Sequence, residues 1–66
     1  MILEYYKHLN GTHIVYFGDD LDYFESEIRS WCVEMFDKEL WHDTIEYGDV
    51  EFINKEDAMM FLLKWS

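Results

Sequence analysis

The sequence predicts an α+β domain of order ββαββα, a four-stranded antiparallel sheet with two helices packed on one face. Three patterns predict it. Asn10-Gly11 lies between two runs rich in β-branched and aromatic residues, an apolar stripe at helical spacing runs from Leu21 to Met35, and a glycine turn followed by a helix signal recurs in the C-terminal half. No linker, low-complexity run or shift in composition divides the chain, so residues 1–66 read as one domain. The two halves share the hairpin-then-helix order without residue identity, a pseudo-repeat of structure and not of sequence.

The first element pair spans Ile2 to Phe17. Asn-Gly is the favoured pair for a two-residue type I′ turn. Such a turn sets Leu9 opposite Thr12, His8 opposite His13, Tyr6 opposite Val15 and Glu4 opposite Phe17, with Tyr5, Ile14 and Tyr16 on the other face. Both faces carry aromatics, so the pattern leaves the buried face open. Gly18 then ends the strand, and Asp19, Asp20 and Asp22 suit the unpaired N–H groups and positive dipole at the start of a helix. Leu21, Phe24, Ile28, Trp31, Cys32 and Met35 form that helix's apolar stripe.

Trp41 to Ile53 reads as a second hairpin, with Gly48-Asp49 as a two-residue loop between Tyr47 and Val50. This register places Ile45, Tyr47, Val50 and Phe52 on a core face and makes Glu46 and Glu51 cross-strand neighbours on an exposed acidic face. Asn54, with Asp57 three residues on, opens a second helix over Lys55 to Trp65. Ala58, Phe61, Leu62 and Trp65 share one of its faces, while Met60 and Leu63 point away from it.

Thirteen Phe, Trp and Tyr residues supply the large side chains a core of this size needs, which argues against a disordered chain. Five Lys and Arg against fifteen Asp and Glu give a formal charge of −10, spread along the chain. That balance disfavours direct nucleic-acid binding and an anionic membrane, and it favours a basic protein surface. The single Cys32 has no internal disulfide partner. No signal-peptide pattern and no long apolar run is present, and the chain reads as cytoplasmic.

Chemistry-bearing clusters are sparse. Asp19, Asp20 and Asp22 lack the further oxygen ligands and the glycine spacing of a calcium loop and read as helix caps. His8 facing His13 pairs two imidazoles without a third ligand, and no metal or other cofactor is expected. Cys32 falls inside an apolar stripe, where a thiol is a core residue and a poor nucleophile. No phosphate loop and no nucleophile–base arrangement is evident, so the chain is not expected to be an enzyme.

Phe52, Asn54, Glu56, Asp57, Ala58, Phe61, Leu63, Lys64 and Trp65 make up a Phe-x-Asn-x-Glu-Asp-Ala, Phe-x-Leu-Lys-Trp segment. It resembles a segment of small, uncharacterised proteins of tailed bacteriophages, and departs from it at Leu62, where a polar or basic residue is expected. The resemblance implies a phage origin, with the host cytoplasm as the site of action, and carries no known active site. Taken with the charge, the expected function is regulation or inhibition of a basic, nucleic-acid-handling host or phage protein by surface occupancy or charge mimicry. The expected contact residues are Glu46, Asp49, Glu51, Met60 and Leu63. The alternative is an assembly module that homodimerises through the apolar helix surfaces, its acidity serving solubility alone.

Overall fold

The computed structural model describes residues 3–18 and 24–65. Its elements are β1 (Glu4–Lys7), β2 (His13–Tyr16), α1 (Glu25–Met35), β3 (Trp41–His42), β4 (Asp49–Phe52) and α2 (Lys55–Trp65), with short 3-10 turns at Lys38–Leu40 and Ile45–Tyr47. The predicted ββαββα order and four-stranded antiparallel sheet are what the chain forms. The strand order is β1-β2-β4-β3, so each hairpin joins the other through its second strand. Val15 faces Val50 across that central junction, and both are fully buried. Within the described residues no helix is long and apolar enough to cross a membrane.

Side chains alternate across a strand, so the registers sort the sheet into two faces. Lys7, His13, Phe52 and Trp41 form one row on the helix-covered face, and Tyr5, Val15 and Val50 form the next. Ile28 and Cys32 from α1 and Ala58 and Phe61 from α2 join Val15, Val50 and Phe52 in a single core. Phe52 sits at its centre, 5.2 Å from Phe36 and 5.7 Å from Phe61 between ring centroids. Phe61 also meets Phe17 and Trp31, at 6.2 and 6.0 Å. Each buried phenyl contributes about 2–3 kcal/mol through area removed from water, and tilted ring pairs add roughly 0.5–1.5 kcal/mol.

Both predicted hairpin registers are corrected. In the first, the His8 N–H donates to the Thr12 carbonyl at 2.8 Å and the Gly11 N–H to the His8 carbonyl at 2.9 Å. Gly11 has φ 94°, so the loop is the three residues Leu9-Asn10-Gly11, with glycine in the left-handed position. Asn10 Oδ1 accepts the Thr12 N–H at 3.0 Å and braces this longer loop. Tyr5, not Tyr6, therefore faces Val15, and Lys7, not His8, faces His13. The expected pair of imidazoles is not formed.

In the second hairpin, Trp41 pairs with Phe52 and His42 with Glu51. The connection is residues 43–48, not Gly48-Asp49, and it turns through Ile45–Tyr47 as a 3-10 helix. Glu46 lies on that turn and does not face Glu51, which removes the expected cross-strand acid pair. Ile45 still reaches the core, whereas Tyr47 is exposed. Gly48 closes the turn at φ 90°, with its carbonyl accepting N–H groups from Phe17 and Gly18 at 2.8 and 3.0 Å.

The helices follow their apolar stripes with two exceptions. In α1, Ile28 and Cys32 are buried, but Phe24 and Met35 are exposed. Phe36 enters the core in their place: it leaves the helix in an extended conformation while its N–H still bonds the Cys32 carbonyl at 3.0 Å. The expected helix start at Asp19, Asp20, Leu21 and Asp22 lies outside the described residues. In α2 the predicted bounds hold, and Ala58 and Phe61 are buried as the stripe requires.

Candidate functional site

The sheet face turned away from the helices carries the most distinctive surface. The same alternation that buries Val15 and Val50 puts Tyr6, Ile14, Glu51 and His42 in one row across all four strands on this side. Glu4, Tyr16 and Asp49 make the adjacent row. Tyr6 and Tyr16 are 46% and 43% exposed. Ile14, between Tyr6 and Glu51, is only 8% exposed and does not belong to the core on the other face. The face thus presents two exposed phenol-bearing rings beside a buried isoleucine, with carboxylates around them.

The carboxylates are oriented but not neutralised. Thr12 Oγ1 donates to Glu51 Oε2, and also lies 2.7 Å from Asn10 Oδ1, its one proton being available to either acceptor. Thr44 Oγ1 likewise donates to Asp49 Oδ1 and is 3.1 Å from the Asp49 carbonyl oxygen. Among the described residues the ion pairs are those of Arg29 with Glu25 and Asp43, so Glu4, Asp49 and Glu51 have no cationic partner. A neutral hydroxyl donor fixes a carboxylate's direction while leaving its full charge for an outside cation.

The expected contact residues separate onto different surfaces. Asp49 and Glu51 share the open sheet face. Glu46 is exposed on the 3-10 turn between β3 and β4. Met60 and Leu63, 39% and 82% exposed, lie on the side of α2 opposite its buried Ala58 and Phe61. Sequence reasoning did not assign Glu4, Tyr6, Ile14, Tyr16 or the two bracing threonines to a site. The signal for Glu4, Tyr6, Ile14 and Tyr16 was the alternation along β1 and β2, which groups the four only once the three-residue loop is recognised.

Other chemistry-bearing groups are placed quietly. Tyr5 Oη and His13 Nδ1 are 2.7 Å apart on the helix-covered side, with their rings stacked at 5.9 Å. Among the described residues, no three His, Cys, Asp or Glu side chains gather as metal ligands. Cys32 is fully buried, and burial, with the charge of Asp43 adding to it, pushes its thiol up to about 12. A thiol so placed is a weak nucleophile. Comparison of the chain with protein-family models, curated proteins and solved structures found no match.

Proposed function

We propose that the protein acts by binding, with its open sheet face set against the basic surface of a nucleic-acid-handling protein. The observation that carries this reading is the meeting of exposed Tyr6 and Tyr16 with Glu4, Asp49 and Glu51 on one face, none of these acids having a cationic partner among the described residues. Acid is also present on the helices, at Glu25, Glu27, Glu56 and Asp57. The sheet face joins its acids to two exposed rings, Tyr6 and Tyr16, anchors of the kind that dominates binding energy. Carboxylates take the place of phosphates against Arg and Lys, and occupancy of the groove is the effect. The C-terminal segment's likeness to tailed-phage proteins makes a host or phage protein in the host cytoplasm the natural partner.

Affinity capture with wild type and with an Asp49→Asn, Glu51→Gln double variant tests the proposal. A basic protein retained by wild type, weakened in the double variant and displaced by duplex DNA is the expected outcome. Equal retention by both, or indifference to DNA and salt, rejects it.

A second reading, homodimerisation through α2, rests on the exposure of Met60 and Leu63. Sedimentation separates the two: a dimer disrupted by Leu63→Lys supports assembly, and a monomer at high concentration dismisses it.

A further inference from the structure

A groove lies at the β3 edge, where Arg29, Val33 and Phe36 of α1 and its C-terminal end approach Lys38, Trp41, His42 and Asp43. The groove measures about 500 Å³, within the range of small-molecule sites. Its walls are apolar: Phe36 and Trp41 form them with little of either ring exposed, and Val33 stands open at the rim. Its charge runs against that of the rest of the chain. Two of the five Lys and Arg residues line it, together with His42 and a single acid.

That acid is already occupied. Arg29 Nε and Nη2 bond the two Asp43 oxygens at 2.6 and 3.2 Å, and the Ile45 N–H donates to Oδ1 at 3.3 Å. Lys38, in contrast, has no carboxylate within ion-pair distance among the described residues. Asp37 and Glu39 flank Lys38 along the chain without pairing with it, and charges more than about 8 Å away are largely screened at physiological ionic strength. Lys38 is thus the lysine or arginine lining the groove that has no acidic partner among the described residues. We propose that this groove binds a small apolar carboxylate, its aliphatic or aromatic body against Val33, Phe36 and Trp41 and its carboxylate on the Lys38 ammonium. Two residues of edge strand make the site too short to hold an extended peptide by main-chain pairing, which favours a small molecule. The site adjoins the open sheet face at His42, which ends that face's row and also lines the groove, but neither reading depends on the other.

Titration of 15N-labelled protein with 4-phenylbutyrate, and in parallel with its neutral primary amide, tests the assignment. Saturable shifts centred on Val33, Lys38, Trp41 and His42 are expected, with the amide binding about three- to tenfold more weakly. Lys38→Ala, an exposed position, is expected to weaken the acid by a similar factor and to leave the amide unchanged, the spectrum itself reporting that the fold is intact. Equal binding of acid and amide, shifts centred elsewhere, an unaltered affinity in Lys38→Ala, or no saturable shift into the millimolar range would each overturn the proposal.

Discussion

Arg29 and Asp43 form a two-point ion pair, Nε to Oδ2 at 2.6 Å and Nη2 to Oδ1 at 3.2 Å, that ties α1 to the segment following β3. The contact joins elements distant in sequence, and Arg29 also holds Glu25 at 3.2 Å along its own helix. The hydrogen bond from Arg29 is the main reason that Asp43 stays ionised below the usual carboxylate range. Both side chains remain about two-fifths exposed, at 40% and 38%, so solvent screening holds the pair's contribution to about 0.5–1 kcal/mol.

The sign of its pH dependence follows. Asp43's pKa is lower in the folded chain, so the stabilisation is complete above the unfolded carboxylate value and is lost as pH falls through the folded one. Asp43→Asn is expected to lower the urea midpoint at neutral pH, and the gap from wild type is expected to close as pH falls through the lowered carboxylate value of the folded chain. A gap that persists in acid would point to packing instead of charge.

Glycine substitutions should separate two kinds of constraint. A Cβ on Gly48 would stand 3.1 Å from the Gly18 carbonyl oxygen and 3.2 Å from its Cα, in addition to requiring φ 90°. Gly11 needs a similar φ, but a Cβ there meets open space. Gly11→Ala is expected to cost about 1 kcal/mol and Gly48→Ala about 2–3 kcal/mol, measured by chemical denaturation. Equal losses would mean that the backbone around Gly18 yields freely.

Phe52→Ala removes the ring at the centre of the core, at a cost of about 3–5 kcal/mol. That is comparable with the whole stability of so small a domain, about 5 kcal/mol. The variant is expected to lose its cooperative thermal transition and near-ultraviolet circular dichroism.

Cys32 offers a probe of global opening. Its pKa of about 12 in the folded chain lies above the unfolded thiol value, so the unfolded state releases this proton first and Cys32 lowers stability as pH rises between the two. Relative to Cys32→Ala, wild type is expected to lose up to about 1.4 kcal/mol per pH unit across that window. At neutral pH a thiol reagent is expected to label wild type only at the rate of unfolding. Fast labelling of the folded chain would show that the helix–sheet interface opens locally.

On the sheet face, charge and ring substitutions are expected to act on different rates. Asp49→Asn with Glu51→Gln should slow association with a basic partner and flatten its salt dependence, whereas Tyr16→Ala should chiefly speed dissociation, by about tenfold or more. Surface plasmon resonance across a salt series reads both.

The sequence by itself determined the elements whose signals are local. The extent of α2 follows from the apolar spacing of its Ala58–Phe61 face, and the burial of Ile28 and Cys32 follows from helical spacing in α1, because both depend on a pattern within a few residues. The ββαββα order was likewise readable from two glycine turns and two apolar stripes. Register was decided only by the tertiary structure. Asn10-Gly11 suits a two-residue loop and a three-residue loop with glycine in the left-handed position; packing of Val15 on Val50 selects the second, and one residue of slip exchanges Tyr6 for Tyr5 on the core face. Ile45 and Tyr47 alternate as a strand would, yet Ile45 reaches the core from a 3-10 turn that the Thr44–Asp49 contacts brace. The acidic and aromatic sheet face depends on both registers, since cross-strand neighbours far apart in sequence are chosen by the burial of the opposite face and not by any local pattern of their own.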